Sequence, residues 1–410
     1  MKPLLPNSGQ KTKENIILIE NDKVIAEPKS VAEVLNDFFI NIAVTDGSDD
    51  TGDDFLEHPS VSSIARRQSI ENFTFQPIST GYIRGILDHL NPRKAVGVDG
   101  ITPGLLRLSA PVLAKEITKL INFTISTSSW PSEWKSSNVT PVFKKDDDTQ
   151  KSNYRPISIL PAISKICEKV LYDQIYDAIQ PHLSLNLSGF LKTHSCCTAL
   201  LKMTEDWRES LDDREAVIAV AVDLSKAFDS INHRLLLAKL RAYGFSQPAL
   251  DLMTSYLLNR KQRVRVKGVV SSYSTVKTGV PQGSLLGPLL FNIFINDVNY
   301  SVPNVSLRLY ADDTTSYGAD VSPTVLEFVV NKDLKTLSSW FKSNHLNVNN
   351  SKTQAFSVGP CKYDYGLYLD STKIDITNNV KILGVTLDSK LILRFISLSN
   401  LKKLLLRLLF

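Results

Sequence analysis

Asp312 and Asp313 stand side by side in LRLYADDTTSY, Leu307 to Tyr317, between two stretches that read as β-strands. Adjacent carboxylates repel each other, and no cation lies next to them in sequence. A third carboxylate, Asp223, lies at the end of AVIAVAVDL (Ala216 to Leu224), an apolar, β-branched run too short for a typical helix. That run reads as a strand buried on both faces. A buried, unpaired charge is costly, so Asp223 needs a partner. If the Asp312–Asp313 hairpin pairs beside that strand, three carboxylates converge without a balancing base. Such a set suits hard divalent cations, above all Mg²⁺, which take oxygen ligands. Two such ions, about 3.5–4 Å apart, activate an attacking oxygen and stabilise a leaving one. Each piece alone is weak evidence, because Asp favours turns and short motifs match by chance.

The chain around these carboxylates is continuously patterned from about residue 76. Helical spacing is read over Ser79 to Leu90, Thr102 to Ser126 and SKICEKVLYDQIYDAI (Ser164 to Ile179), and VTPVF (Val139 to Phe143) reads as a short strand. HRLLLAKLRAYG reads as a helix stopped by Gly244, and Ser246 begins another with Pro248 in its first turn. QRVRVKG alternates, which predicts a half-buried strand with Arg263, Arg265 and Lys267 on a basic face. In the opening stretch Leu307, Leu309 and Ala311 point one way, and Arg308 and Tyr310 the other. Nearer the N-terminus, Val31 to Ala43 has helical spacing and Thr45 to Asp54 reads as an exposed linker.

The chain has 410 residues, room for two or three packed units, with 43% hydrophobic and 22% charged residues, as in a globular protein. Its net charge of +5 permits a nucleic-acid partner without demanding one. The four cysteines, Cys167, Cys196, Cys197 and Cys361, form no C-x-x-C pair. That argues against a zinc site and a disulfide scaffold, and for an intracellular protein. No signal peptide is evident, and the apolar stretch at the C-terminus is interrupted by Arg394, Lys402, Lys403 and Arg407, against a membrane span.

Six ordered segments resemble the reverse transcriptases of non-long-terminal-repeat (LINE-type) retrotransposons, particularly the jockey-like group. They are NYRPISILPAISKICEKVL (Asn153 to Leu171), AVAVDLSKAFDSINH (Ala219 to His233), GVPQGSLLGPLLFNIFINDV (Gly279 to Val298), LYADDT, LNVNNSKTQ (Leu346 to Gln354) and VKILGVTLD (Val380 to Asp388). The resemblance covers roughly residues 80 to 388.

It implies an α+β, right-hand polymerase fold, with an antiparallel palm sheet backed by helices and interleaved fingers. It implies transfer of deoxynucleotides to a primer 3′-hydroxyl on an RNA template by two Mg²⁺ ions, for which Mn²⁺ substitutes. Asp223, Asp312 and Asp313 would be the catalytic metal ligands, helped by the backbone carbonyl of Leu224. Phe228 would exclude the 2′-hydroxyl of a ribonucleotide by filling the space the extra oxygen needs. Arg155, and Lys144 or Lys145, are candidates for gripping the triphosphate, the arginine better suited by its planar fork. Gln282 and Gly283 would lie against the incoming nucleotide and template, and Lys352 would donate a proton to the leaving pyrophosphate. Arg263, Arg265 and Lys267 are candidates for nucleic-acid phosphates. The partners implied are an RNA template, a DNA primer and deoxynucleoside triphosphates, with no membrane, in the nucleus or cytoplasm as a ribonucleoprotein.

The expected organisation is a partly disordered leader or connector over 1–75, a helical extension of the fingers over 76–126, the reverse transcriptase domain over 127–388 and an aberrant apolar tail over 389–410, with the family's helical thumb missing. The alternative is a catalytically dead, truncated remnant that at most binds nucleic acid. A third reading, an RNA-dependent RNA polymerase, is opposed by the bulk of Phe228.

Overall fold

The computed structural model describes residues 15–41, 55–67, 70–359, 363–388 and 393–394. The expected linker at Thr45 to Asp54, Cys361 and nearly all of the apolar tail lie outside the described residues. The chain is of mixed helix and sheet and divides into two compact units, each built on one main sheet.

The first unit comprises the described residues of Met1–Phe55, Ser69–Ile179 and Leu236–Gly287. In its sheet, Ser136–Phe143 pairs antiparallel with Tyr154–Ile159 and parallel with Arg260–Val266, which also pairs with Val269–Val270 and Ser274–Val276. The alternation read in QRVRVKG is present: Val264 and Val266 are buried, while Arg265 is exposed. Val31, Leu35 and Phe39 of the helix Pro28–Asn41 pack with Val139, Tyr154, Val264 and Val266 into one apolar core. That helix starts cleanly because Pro28 has no N–H to leave unpaired and Glu27 accepts from the amides of Lys29 and Ser30. The single helix expected over Thr102 to Ser126 is two, Pro103–Leu108 and Ala110–Ser126. The break falls at Ser109, because Pro111 cannot donate to an earlier turn and suits only the start of a helix. Ser79 and Ser246 each accept an amide hydrogen bond at the start of their helices, Thr80–Asp88 and Gln247–Leu257.

The second unit comprises the described residues of Leu56–Gln68, Gln180–Leu235 and Pro288–Phe410. Its sheet runs in the order Ile376–Thr377, Gln354–Val358, Ala216–Ser225, Asp313–Asp320, Ser306–Tyr310, and Asn347–Val348 pairs with the far end of Ala216–Ser225. Ala216–Ser225 is therefore the central strand, and its near-continuous burial matches its apolar sequence. One face is covered by the helix Cys196–Asp212, whose Leu200, Met203 and Trp207 pack on Val217, Ala219, Tyr317, Phe356 and Val358. On the opposite face Leu326 and Val330 of the helix Pro323–Ser343 close over Gly318. Val380, Ile382 and Leu387, from a small sheet of Asn379–Ile382, Val385–Asp388 and Leu393–Arg394, extend the first of these cores. Among the described residues no helix is long and apolar enough to cross a membrane.

Candidate active site

The second unit brings Asp223 and Asp313 together by register, with Asp312 in the adjoining turn. Asp313 opens the strand Asp313–Asp320 directly opposite Asp223, and on its other side it pairs with Tyr310. Tyr310 and Asp313 close a two-residue turn of Ala311 and Asp312. Ala311 takes the left-handed backbone region at φ +56°, where a residue with a Cβ is strained by roughly 1–2 kcal/mol. The neighbouring chain over-determines this turn. Leu309 donates to the carbonyl of Asn186 (2.9 Å) and accepts from the amide of Ser188 (2.8 Å). Gly189 then lies so close that a Cβ on it would stand 2.3 Å from the Ala311 nitrogen, and Asn292 Nδ2 anchors the Gly189 carbonyl at 2.7 Å. Only glycine permits that approach of backbone to backbone.

Asp313 is exposed by surface area, yet the protein around it strips water from its carboxyl. That desolvation, followed by the charges of Asp312 and Asp223, pushes its pKa up to about 6. Lys352 Nζ stands 3.7 Å from Asp223 Oδ2, and the amide of Asn349 donates to the Asp223 carbonyl at 2.8 Å. The turn of LNVNNSKTQ thus sets one expected phosphate-directed cation beside the central carboxylate. Leu224 is buried and pairs with Val348.

The donor set fits a hard divalent ion: carboxylate oxygens without sulfur or imidazole, crowded enough that Asp313 holds its proton unusually long. Among the described residues no three His, Cys, Asp or Glu side chains are grouped so as to cage an ion by themselves. Mg²⁺ commonly takes one or two carboxylates and completes its shell with water and substrate phosphates.

The crowding has a sign. Because the folded form keeps the Asp313 proton where an unfolded chain has released it, stability falls as pH rises from the ordinary carboxylate range towards about 6, then levels off. Asp313→Asn removes this penalty. Without divalent ions at pH 7.5 the variant is expected to be more stable by about 1 kcal/mol, a figure discounted for the carboxylate's contact with water. Near pH 4 the two proteins should melt together, and thermal melts at the two pH values check both arms.

Phe228 lies in the same unit. Its ring stacks on Phe291 at 4.6 Å between centroids, and Phe190 meets it edge-on at 5.9 Å. A further set of groups, which sequence reading missed, braces the hairpin. Asp206 binds Arg308 (3.0 Å), Lys202 (2.8 Å) and the Tyr317 hydroxyl. Burial alone would raise the Asp206 carboxyl, but the hydrogen bonds from Lys202 and Tyr317 and the Arg308 charge hold it below the usual range. Asp206 is separated from its hairpin partners by about a hundred residues, so no local pattern announces it.

The remaining expected residues belong to the first unit and are described there. Arg155 is exposed on Tyr154–Ile159. The same strand carries the PQG turn: the Ser158 amide donates to the Gln282 carbonyl at 2.7 Å, and Gly283, at φ +124°, would bring a Cβ within 2.5 Å of the Ser158 carbonyl oxygen. Arg155, Gln282 and Gly283 are therefore held on one local frame. Lys144 and Lys145 are exposed, and Lys145 lies 3.8 Å from Asp146 in open solvent, a pairing of little strength. Arg263 is engaged within the protein: its Nε donates to Asn138 Oδ1 (2.8 Å) and its guanidinium covers the Tyr273 ring. Arg265 and Lys267 are exposed. Sequence reading also missed Glu168, fully buried in Ala162–Ile179, which accepts from the Leu285 amide (2.6 Å) and the Tyr256 hydroxyl (3.2 Å). It anchors the end of the PQGSL turn.

The family model described as reverse transcriptase (RNA-dependent DNA polymerase) matches residues 142–387. The chain is 29% identical over 337 residues to the probable RNA-directed DNA polymerase from transposon BS of Drosophila melanogaster, covering 77% of this chain and 36% of that protein. It is 27% identical over 324 residues to the RNA-directed DNA polymerase from mobile element jockey of the same organism, covering 75% and 35%. A more distant match, 21% over 299 residues (70% and 40%), is the Pol polyprotein of the type-1 retrotransposable element R2 of Popillia japonica. The chain spans little more than a third of the length of the first two relatives. With the family model matching more than half of its residues, the chain belongs to the reverse transcriptase family.

Proposed function

We propose that this chain is an RNA-directed DNA polymerase that extends a DNA primer on an RNA template of its element. The observation that carries the reading is the pairing of Asp313 opposite Asp223, with Asp312 in the adjoining turn. In this reading the unit with the aspartates is the palm of a right-hand polymerase, and the unit with Arg155 and the PQG turn supplies the fingers. Asp223, Asp312 and Asp313, with the Leu224 carbonyl, would hold two Mg²⁺ ions. Bound there, the ions would activate the primer hydroxyl and neutralise charge on the phosphates.

The protein's own groups do the rest by position. Arg155 offers a planar fork to triphosphate oxygens, with Lys144 and Lys145 as further cations. Gln282 and Gly283 present a fixed backbone turn to the nucleotide and template. Lys352, beside Asp223, is set to meet the leaving phosphates with a proton donor. Phe228 occupies the space a 2′-hydroxyl needs. Arg265 and Lys267 contribute sequence-independent phosphate contacts, and Arg263 contributes less, because Asn138 and Tyr273 hold it.

The test is primer extension on an RNA template with labelled deoxynucleotides. Incorporation that needs template and Mg²⁺ or Mn²⁺, and stops with chelator, is expected. RNA binding without incorporation under either metal would leave the non-catalytic reading in its place.

A further inference from the structure

A cavity of about 190 Å³ opens beside the hairpin in the second unit, lined by Ser188, Thr193, His194, Thr198, Lys202, Arg308 and two apolar side chains. None of these side chains is acidic. Two carry permanent positive charge, three are hydroxyls, and His194 Nδ1 lies 3.5 Å from Ser188 Oγ. Asp206 stands between Lys202 and Arg308 but does not line the space, so these three side chains leave one net positive charge. The Arg308 side chain is only 13% exposed, and its Nε has no hydrogen-bond partner among the described residues. A buried guanidinium N–H without an acceptor is costly. The helix Cys196–Asp212 begins at the same place, with Ser195 as its cap, and adds its positive end. At roughly 30 Å³ per water, the cavity is large enough for a phosphate group.

Its position is as informative as its lining. Arg308 pairs across the hairpin with Thr315, two residues from Asp313 along the strand, and so lies on the same face as Asp313 and Asp223. Two strand residues correspond to about 7 Å.

We propose that this cavity binds a backbone phosphate of a nucleic-acid strand whose end lies at the Asp223–Asp313 pair. The inference rests on the polymerase reading above, because it supposes that a strand runs past the Asp223–Asp313 end of this face, beside the part that the helix Cys196–Asp212 covers. The phosphate oxygens accept from Lys202 Nζ, Arg308 Nε and the Ser188 hydroxyl, while the Thr193 and Thr198 hydroxyls donate to the Lys192 and Ser195 carbonyls, and His194 closes the site from the loop before the helix.

The experiment uses the full chain, a labelled primer–template and inorganic phosphate. Lys202 is the variant site because its side chain is 65% exposed, so its replacement leaves the fold intact. Lys202→Ala should lower the slope of log affinity against log salt by about one unit, the share of one phosphate contact, and Lys202→Arg should restore it. Lys335→Ala, at an exposed lysine of the helix Pro323–Ser343, should leave the slope unchanged. In parallel, the His194 ring resonances should shift when primer–template is added to wild type and not when it is added to Lys202→Glu. If His194 responds to inorganic phosphate while the slope stays at its wild-type value in Lys202→Ala, the cavity takes free phosphate and the strand assignment is overturned. If neither readout moves, the site itself is overturned. Failure of the polymerase reading is seen separately, as wild type that neither binds nor extends primer–template.

Discussion

Asp223→Ala and Asp312→Ala should each lower templated deoxynucleotide incorporation by about three powers of ten or more, while the protein stays folded. The size follows from what the carboxylates do. In phosphoryl transfer there is little covalent work for a protein, and the barrier is lowered by positioning and by charge held where charge develops. Three powers of ten correspond to about 4 kcal/mol, the scale on which removing one preorganised electrostatic group lowers a rate. Asp312 is exposed in a turn, and exposed substitutions away from packing change stability by only about 0.5 kcal/mol. Asp223 keeps its strand pairing through the backbone, so Ala there removes the carboxylate and its contact with Lys352 but not the ladder. Single-turnover extension and a thermal melt on each variant separate chemistry from folding. If the two aspartates share one ion, as proposed, the double variant should lose no more than the worse single, because groups that act as a unit are not additive. Wild-type rates from Asp312→Ala would end the catalytic assignment.

What could be read in the sequence, and what could not, follows the range of the interactions. The central strand was legible because burial on both faces leaves a β-branched run with no alternation, and Ala216–Ser225 is that strand. The hairpin faces were legible from the alternation of Leu307 and Leu309 with Arg308 and Tyr310. The separate places of the two adjacent aspartates were not. A two-residue turn sends Asp313 across from Asp223 and leaves Asp312 in the turn, and a register shift of one residue would exchange them. Arg263 was assigned by alternation to a basic face, but alternation says nothing of Asn138, 125 residues earlier, which takes its Nε hydrogen. Glu168 lies within the helical spacing read over Ser164 to Ile179, and that spacing says nothing of its partner. Its partner, the Leu285 amide, is 117 residues away, and only the fold makes the carboxylate a bracket for the PQGSL turn. Local period gives elements and faces, while the groups that brace a site pair across distances at which a single sequence carries no signal.

Phe228→Ala should erase most of the preference for deoxy- over ribonucleotides, by about a hundredfold, chiefly through faster use of ribonucleotides. A steric gate works only if its ring cannot swing away, and here the ring has little room to move. Phe291, fully buried, stacks beneath it with an interplanar angle of 26°, and Phe190 closes its edge. Such aromatic pairs contribute roughly 0.5–1.5 kcal/mol each beyond their buried area. Excluding one oxygen by contact is a matter of a few kcal/mol, which sets the hundredfold scale. Losing the half-buried ring also costs stability, about 2 kcal/mol, because its neighbours refill the space only in part. A general loss of fold would depress both nucleotide types together, so the ratio of the two kcat/KM values is the decisive readout. Phe228→Tyr keeps the ring and should keep the ratio. Phe291→Leu removes the stacking partner without touching Phe228, and should relax the ratio by a smaller factor. If Phe228→Ala and wild type discriminate equally, Phe228 is packing for the turn after Asp223, and sugar selection lies elsewhere in the protein.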